Sequence, residues 1–144
     1  MNDTALTLPQ RAAKPRTSGL TMVIDGGIPL RLFGDLIELG APYIDYVKFG
    51  WGTSVVTGCL REKIGVLNGH GIGFYFGGTL FEKFALQGRF DGYLRFCEAH
   101  GASHVEVSNG TIEMSNAEKA GYIRKLAPDF TVVSEVGFKD PGRS

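Results

Sequence analysis

Residues 46–76 decide the fold class, and they read YVKFGWGTSVVTGCLREKIGVLNGHGIGFYF. The segment opens and closes with short, nearly continuous apolar runs, Tyr46–Gly50 and Gly73–Phe76, which are typical of strands covered on both faces. Between them an apolar stripe recurs at helical spacing and stops at Gly69; its members are Val55, Val56, Cys59, Leu60, Ile64 and Leu67. Strand, helix and strand in this order predict two parallel strands joined by a crossover helix.

The same alternation extends in both directions along the chain. Further strands are predicted at Leu20–Asp25, His104–Ser108 and Thr131–Val136. Helical patterns separate the strands. The first is an apolar stripe from Leu32 to Leu39 that stops at Gly40, and a later connection has two parts, Leu80–Leu86 and Phe90–His100, the second closed by Gly101. The last helix opens with the capping box Ser115-x-x-Glu118 and runs to Leu126. Five strands and four helical connections predict an α/β fold with a parallel sheet.

Composition excludes several classes of protein. Fifteen basic residues balance fifteen acidic ones among 144, so nothing in the overall charge favours nucleic acid or another polyphosphate partner. Apolar runs stay well below the ~18–20 residues of a membrane span, so we expect no membrane partner. Residues 1–18 are polar with two prolines and lack the apolar core of a signal peptide, which favours a cytoplasmic protein. We interpret 1–18 as a flexible leader and 19–144 as the folded domain.

Charged residues cluster where the predicted strands end. Asp25, Lys48, Glu106 and Glu135 each lie at or near the carboxyl end of a strand, and alternation lets Asp25, Lys48, Glu106 with Ser108, and Glu135 all face inward. The (β/α)8 barrels keep their chemistry at this end of the strands, so the pattern favours a barrel with a catalytic mouth. Two structural alternatives stay open: Lys48 could form a salt bridge with Glu106 or Asp25, and Asp25 could cap the following helix.

Four motifs resemble a known family. They are Lys48-Phe49-Gly50-Trp51-Gly52-Thr53-Ser54, Gly77-Gly78-Thr79-Leu80-Phe81-Glu82, Val105-Glu106-Val107-Ser108-Asn109-Gly110 and Glu135-Val136-Gly137. Together they look like the phosphosulfolactate synthase family, over about residues 16–141. The resemblance implies a (β/α)8 barrel that adds sulfite to phosphoenolpyruvate with Mg²⁺ and gives 2-phospho-3-sulfolactate, in methanogens the first step toward coenzyme M.

The resemblance also implies roles for individual residues. Lys48 and Lys139 would bind anionic oxygens and Glu106 would manage the proton, which makes these three the candidate catalytic residues. Glu135 and Glu106 would hold the metal ion. Substrate binding would involve Lys48, Asp25, Ser108 and Asn109, although the last two could equally serve to form a turn.

Three positions depart from the family pattern. Gly26 stands where the family often has Lys, Asn109 where Asp is common, and Phe138 where a second Lys is common. The family also contains plant heat-stress-associated proteins, so a non-catalytic binding or stress-related protein on the same fold is the rival hypothesis. A coupled assay with phosphoenolpyruvate, sulfite and Mg²⁺ would separate the two.

Length gives one further expectation. A full barrel takes ~250 residues, with ~200 as a practical minimum. The pattern here ends after a fifth strand, so we expect a (β/α)8 barrel truncated after that strand, and an inactive fragment is a third hypothesis. In such a chain the first and fifth strands would both be apolar sheet edges, which favours a homo-oligomer.

Overall fold

Short strands alternate with helices along the whole structure, a computed structural model that describes residues 6–7 and 10–137. The strands within this part are β1 (Met22–Asp25), β2 (Tyr46–Phe49), β3 (Gly73–Phe76), β4 (His104–Val107) and β5 (Thr131–Ser134). The α-helices are α1 (Leu30–Gly40), α2 (Leu60–Gly69), α3 (Gly78–Leu86), α4 (Phe90–His100) and α5 (Asn116–Leu126). Every predicted strand is present, with β3 at its predicted bounds and the others shorter by one or two residues.

All paired strands run parallel. Backbone hydrogen bonds join β1, β2 and β3 in chain order, and a second ladder joins β4 to β5. Strand β3 lies beside β4, but no ladder connects them within the described residues. The α/β class with parallel strands is therefore confirmed, and closure into a barrel stays a prediction.

Helix boundaries follow local capping chemistry. Ser115 accepts from the amide of Glu118 while the Glu118 carboxylate accepts from the amide of Ser115, so both halves of the predicted capping box are present. Helix α4 ends at Gly101, whose φ of 71° lies in the left-handed region that glycine adopts without strain. The stripe predicted from Val55 to Leu67 is divided, because a short 3-10 turn (Thr53–Val55) precedes α2 and leaves Val56 exposed.

Strand register separates an apolar face from a polar one. Val47 and Phe49 of β2 lie beside Phe74 and Phe76 of β3, and this face packs against the helices through residues such as Phe33. Lys48 lies beside Tyr75 on the opposite face, because successive side chains of a strand point to opposite sides. The second face carries the candidate site.

The segment before β1 is anchored by arginine side chains. The Arg16 guanidinium is almost fully buried, with one nitrogen 2.8 Å from Asp45 Oδ1 and another 2.5 Å from the Pro42 carbonyl. Arg11 donates to the carbonyls of Gly19 and Tyr43. Arg16 belongs to the segment that we interpret as a flexible leader, but its side chain does not lie in solvent, because a buried carboxylate supplies its partner. No helix among the described residues is long and apolar enough to cross a bilayer.

Candidate active site

Three of the predicted charged residues meet on the polar face of the sheet. Lys48 Nζ on β2 lies 2.8 Å from Glu106 Oε1 on β4 and 3.9 Å from Glu135 Oε2, just beyond β5. The side chains of Lys48 and Glu106 are 13% and 4% exposed, whereas that of Glu135 is 31% exposed. One ammonium group thus lies between two carboxylates, as the positions of these residues at strand ends predicted.

Glu106 is held from a second side by the start of α3. Its Oε2 accepts a hydrogen bond of 2.5 Å from the amide of Gly78, the first residue of that helix. A Cβ at position 78 would come within 2.6 Å of Ser108 Cβ, so only glycine allows α3 to approach β4 this closely. Helix N-termini interact favourably with acidic side chains, so the start of α3 helps to hold the Glu106 side chain in place next to Lys48.

Tyr75 is a site residue that the sequence reasoning missed. It lies beside Lys48 in the β2–β3 register and is buried. Burial, together with the negative charges of Glu106 and Glu135, raises the pKa of Tyr75 to about 12. Tyr75 is therefore a protonated phenol at neutral pH next to the charged cluster. Its position, level with Lys48 on the neighbouring strand, was the signal that could have found it.

Asp25 lies elsewhere, and the prediction that it shares the inward face is wrong. In the β1–β2 ladder Ile24 is the neighbour of Lys48, which puts Asp25 beside Phe49 on the face that packs against the helices. There Asp25 Oδ2 lies 2.5 Å from Nζ of Lys63, and both side chains are buried. Its Oδ1 accepts from the amides of Gly27 and Ile28. Asp25 thus shapes the loop that precedes α1.

Ser108 is fully buried against a carboxylate of α3. Its hydroxyl donates to Glu82, which also accepts from the amides of Gly110 (2.8 Å) and Thr111 (3.1 Å) and from the Thr111 hydroxyl. Glu82 is itself 1% exposed. The loop that follows β4 is therefore built around the Glu82 carboxylate, which receives hydrogen bonds from Ser108, Gly110 and Thr111.

Asn109 is engaged at both ends of its amide. Its Nδ2 donates 2.9 Å to the Met114 carbonyl, and its Oδ1 accepts from Lys119 Nζ at 3.2 Å. Lys119 is buried and also donates to the backbone carbonyl of Glu135. Lys119 therefore ties the loop after β4 to the end of β5. Substrate binding by Ser108 and Asn109 stays a prediction, and Lys139 lies outside the described residues.

Comparison with known proteins decides the family. The family model for (2R)-phospho-3-sulfolactate synthase (ComA) matches residues 9–144. The chain belongs to the phosphosulfolactate synthase family. It is 51% identical over 140 residues to a phosphosulfolactate synthase of Bacillus subtilis (strain 168), covering 97% of this chain and 56% of that relative. Phosphosulfolactate synthases of Methanothermobacter thermautotrophicus and Methanocaldococcus jannaschii are 38% and 41% identical, over 99% and 87% of this chain.

The chain spans about half the length of these curated relatives, whose covered shares are 56%, 57% and 51%. Within that half lie the strands that carry Lys48, Glu106 and Glu135.

Gly26, one of the departures from the phosphosulfolactate synthase pattern, packs under the ring of Trp51. A Cβ at position 26 would lie 2.5 Å from Trp51 Cζ3, so a lysine there requires the Trp51 ring to move.

Glu106 and Glu135 are the carboxylates of the cluster that could bind the magnesium ion implied by the resemblance to the phosphosulfolactate synthase family. Mg²⁺ in enzymes is commonly bound through one or two carboxylates, with water and substrate phosphate completing its shell. Both oxygens of Glu106 are already engaged, by Lys48 and Gly78, while the Glu135 carboxylate is partly exposed. The described residues contain no group of three or more His, Cys, Asp or Glu arranged for a metal. Glu135, whose side chain is 31% exposed, is therefore the more accessible of the two carboxylates.

Proposed function

We propose that this chain carries part of the active site of a phosphosulfolactate synthase, a lyase that adds sulfite to phosphoenolpyruvate and gives 2-phospho-3-sulfolactate. The observation that carries the proposal is the cluster of Lys48, Glu106 and Glu135 at the carboxyl ends of β2, β4 and β5. Membership of the family supports the reaction class, and the position of the cluster supports the choice of residues.

The reaction forms a carbon–sulfur bond at C3 and a carbon–hydrogen bond at C2 at the expense of the C2–C3 π bond, and no σ bond of phosphoenolpyruvate breaks. The sulfur lone pair of sulfite attacks the methylene carbon C3, and the C2–C3 π electrons move onto C2 and the neighbouring carboxylate as an enediolate-like anion. A proton then adds to C2, while the phosphate ester stays intact. Positioned positive charge lowers this barrier, because negative charge accumulates on the carboxylate oxygens in the transition state. Lys48 is the cation that the described residues place at the cluster.

Each remaining residue has a distinct role in this scheme. Glu135, with Glu106 beside it, would hold Mg²⁺, which when bound supplies positive charge to the substrate oxygens. Glu106 keeps the Lys48 ammonium in place and would relay to C2 a proton that comes from water or bisulfite. Lys139, outside the described residues, is the second cation that we assign to the anionic oxygens of the substrate.

We also propose that the protein is cytoplasmic. A further part of the proposal is that the chain associates with itself. Met22 and Ile24 on the edge strand β1 are 42% and 45% exposed, and Leu20 just before it is 50% exposed. An apolar edge strand of this kind favours pairing with another chain. Size-exclusion chromatography coupled to light scattering checks the expectation of a homo-oligomer, and a sharp monomer peak at micromolar concentration contradicts it.

A direct assay tests the reaction. Purified protein is mixed with phosphoenolpyruvate, sulfite and Mg²⁺, and phosphorus NMR follows conversion of the enol phosphate into the saturated phosphate ester. We expect the rate of product formation to fall about 100-fold or more in Lys48→Met, in the range for removing a group that acts in the transition state. Lys83→Met, on the exposed side of α3, is the matched control. Equal rates for Lys48→Met and the unchanged chain would overturn the assignment.

A further inference from the structure

Lys119 on α5 is a buried charge that the proposed mechanism does not use. The residue is 6% exposed, and it lies with Leu126 on the buried side of that helix. Its ammonium nitrogen lies 3.2 Å from Asn109 Oδ1 and also donates to the backbone carbonyl of Glu135. Both acceptors are uncharged oxygens, and Lys119 forms no ion pair with any residue that the structure describes.

This arrangement is an unfavourable way to fill a place in the core. Moving an ammonium group out of water costs free energy, and hydrogen bonds to neutral oxygens recover only part of that cost. An apolar residue of similar length, such as methionine, would pack at position 119 without it. The burial of Lys119 is therefore better explained by what its ammonium holds than by the stability that it adds.

The backbone of Glu135 is held from two sides. Its amide donates to the Val107 carbonyl on β4 over 3.1 Å, and its carbonyl accepts from Lys119. Glu135 directly follows β5 and lies beyond the last residue pair of the β4–β5 ladder, so Lys119 adds a hydrogen bond where the ladder ends. In the side chain of the same residue, Oε2 lies 3.9 Å from Lys48 Nζ. Fixing this backbone therefore fixes how far the Glu135 carboxylate lies from Lys48.

The same ammonium holds the loop that follows β4. Asn109 in that loop accepts from Lys119 through Oδ1 and donates through Nδ2 to the Met114 carbonyl, 2.9 Å away. Strand β4 itself carries Glu106, the ion-pair partner of Lys48. Lys119 thus connects the ends of the two strands that supply the carboxylates of the cluster.

We propose that Lys119 is a positioning residue for the proposed active site: its ammonium fixes the end of β5 against the loop after β4, so that the Glu135 carboxylate lies beside the Lys48 ammonium. A displacement of about 1 Å near the reacting atoms can cost about 100-fold in rate, so a loosened end of β5 should slow the reaction. The role in turnover rests on the proposed function, whereas the contact with the Glu135 backbone can be measured without substrate.

Amide hydrogen exchange in the full chain, without substrate or metal, tests the contact. In Lys119→Met the Glu135 amide should exchange about tenfold faster, the effect of removing one hydrogen bond to a charged group. The Thr131 amide, which donates to the Ser103 carbonyl at the other end of β5, should keep its exchange rate. Lys125→Met is the matched control, because Lys125 is an exposed lysine of the same helix, and it should change neither amide.

Turnover in the phosphorus NMR assay tests whether Lys119 acts through Glu135. Lys119→Met should lower the rate at saturating substrate about tenfold in the otherwise unchanged chain, but less than about twofold in a Glu135→Gln chain. The second effect is smaller because a residue that acts through the Glu135 carboxylate has little left to position once that carboxylate is absent. Lys119→Arg should recover most of the rate, since its guanidinium can donate to both oxygens.

Unchanged exchange at Glu135 in both Lys119→Met and Lys119→Gln would overturn the proposal, and Lys119→Gln gives the comparison where Lys119→Met does not fold. Equal losses of rate with and without the Glu135 carboxylate would also overturn it, because Lys119 would then support the fold and not Glu135. A chain without turnover, or a Glu135→Gln chain as fast as the unchanged one, contradicts the proposed function instead. Exchange at the Glu135 amide then still decides whether Lys119 holds that residue.

Discussion

Lys48 and Glu106 are 58 residues apart in the chain, yet Nζ of the lysine lies 2.8 Å from Oε1 of the glutamate. The first belongs to β2 and the second to β4, so the ion pair reaches across β3 and its Tyr75. Both groups are largely desolvated, and such a pair contributes little net stability compared with an apolar replacement. The presence of this pair in the sheet is therefore better explained by the chemistry of the site than by folding.

Removing one partner of this pair should be costly in stability as well as activity. Lys48→Met leaves the Glu106 carboxylate with Gly78 as its remaining hydrogen-bond donor, and we expect a loss of about 3 kcal/mol in the free energy of unfolding. The double variant Lys48→Met/Glu106→Gln should recover much of this loss, because no uncompensated charge stays buried. Urea unfolding of the two single variants and the double variant measures the coupling. Additive losses would mean that the two side chains do not interact.

Lys63 should matter for folding and not for the candidate active site. Its ammonium is 1% exposed, binds Asp25 and lies 5.0 Å from the centroid of the Phe33 ring. Lys63→Met should therefore lower the free energy of unfolding by about 3–5 kcal/mol, as expected when a buried charge loses its partner. Urea unfolding measures this change, and Asp25→Asn in the same chain should restore part of the stability.

Trp51 offers a check on the same variant, since it is the single tryptophan and follows β2 at the end that carries Lys48. Phosphoenolpyruvate should change its fluorescence equally in Lys63→Met and in the unchanged chain, at a temperature where both are folded. Weaker phosphoenolpyruvate binding in Lys63→Met than in the unchanged chain, measured where both are folded, would mean that the Lys63–Asp25 pair takes part in substrate binding.

Strand alternation explains which parts of the site could be predicted. Apolar runs ending in glycine located the strands, and a charged residue within each of β2 and β4 indicated a polar inner face. Strand alternation gave the wrong face for Asp25. The face on which a residue lies depends on the register of its strand, and a shift of one position moves every side chain to the opposite face. The ladder that pairs Ile24 with Lys48 is set by tertiary packing, which the sequence of β1 alone does not specify.

Helical charges were the other part that sequence reasoning missed. Glu82, Lys63 and Lys119 were not among the predicted site residues, yet all three are buried. Their partners are a loop carboxamide, backbone groups and residues on other elements, which no local pattern encodes. Lys63 did carry a signal, since it precedes Ile64 and lies four residues from Leu67, on the apolar side of α2.

Glu82 should determine the shape of the loop after β4. Glu82→Gln replaces one acceptor oxygen with an NH₂ group that faces hydrogen-bond donors, so we expect about 1–3 kcal/mol of destabilisation. Hydrogen exchange at the amides of Gly110 and Thr111 should speed up, because these amides donate to the Glu82 carboxylate. Glu98→Gln, on the exposed side of α4, is the control. Unchanged exchange at both amides would show that the loop holds its shape without Glu82.

Arg16 should stabilise the protein in a pH-dependent way through Asp45. Burial alone would raise the pKa of Asp45, but the Thr21 amide, Arg16 and Arg11 outweigh it and lower the pKa. The folded pKa then lies below the ordinary value of about 3.9, so this stabilisation is present above about pH 4 and is lost as pH falls through the folded pKa. Arg16→Gln should cost about 3 kcal/mol at pH 7, with a difference from the unchanged chain that narrows toward pH 3. Urea unfolding at pH 7, 5 and 3 measures this difference in the free energy of unfolding.

Arg11→Gln is the control and should cost less than about 1 kcal/mol, because that side chain is 38% exposed and 3.5 Å from Asp45. A difference for Arg16→Gln that stays constant from pH 7 to pH 3 would mean that Arg16 acts through the Pro42 carbonyl instead.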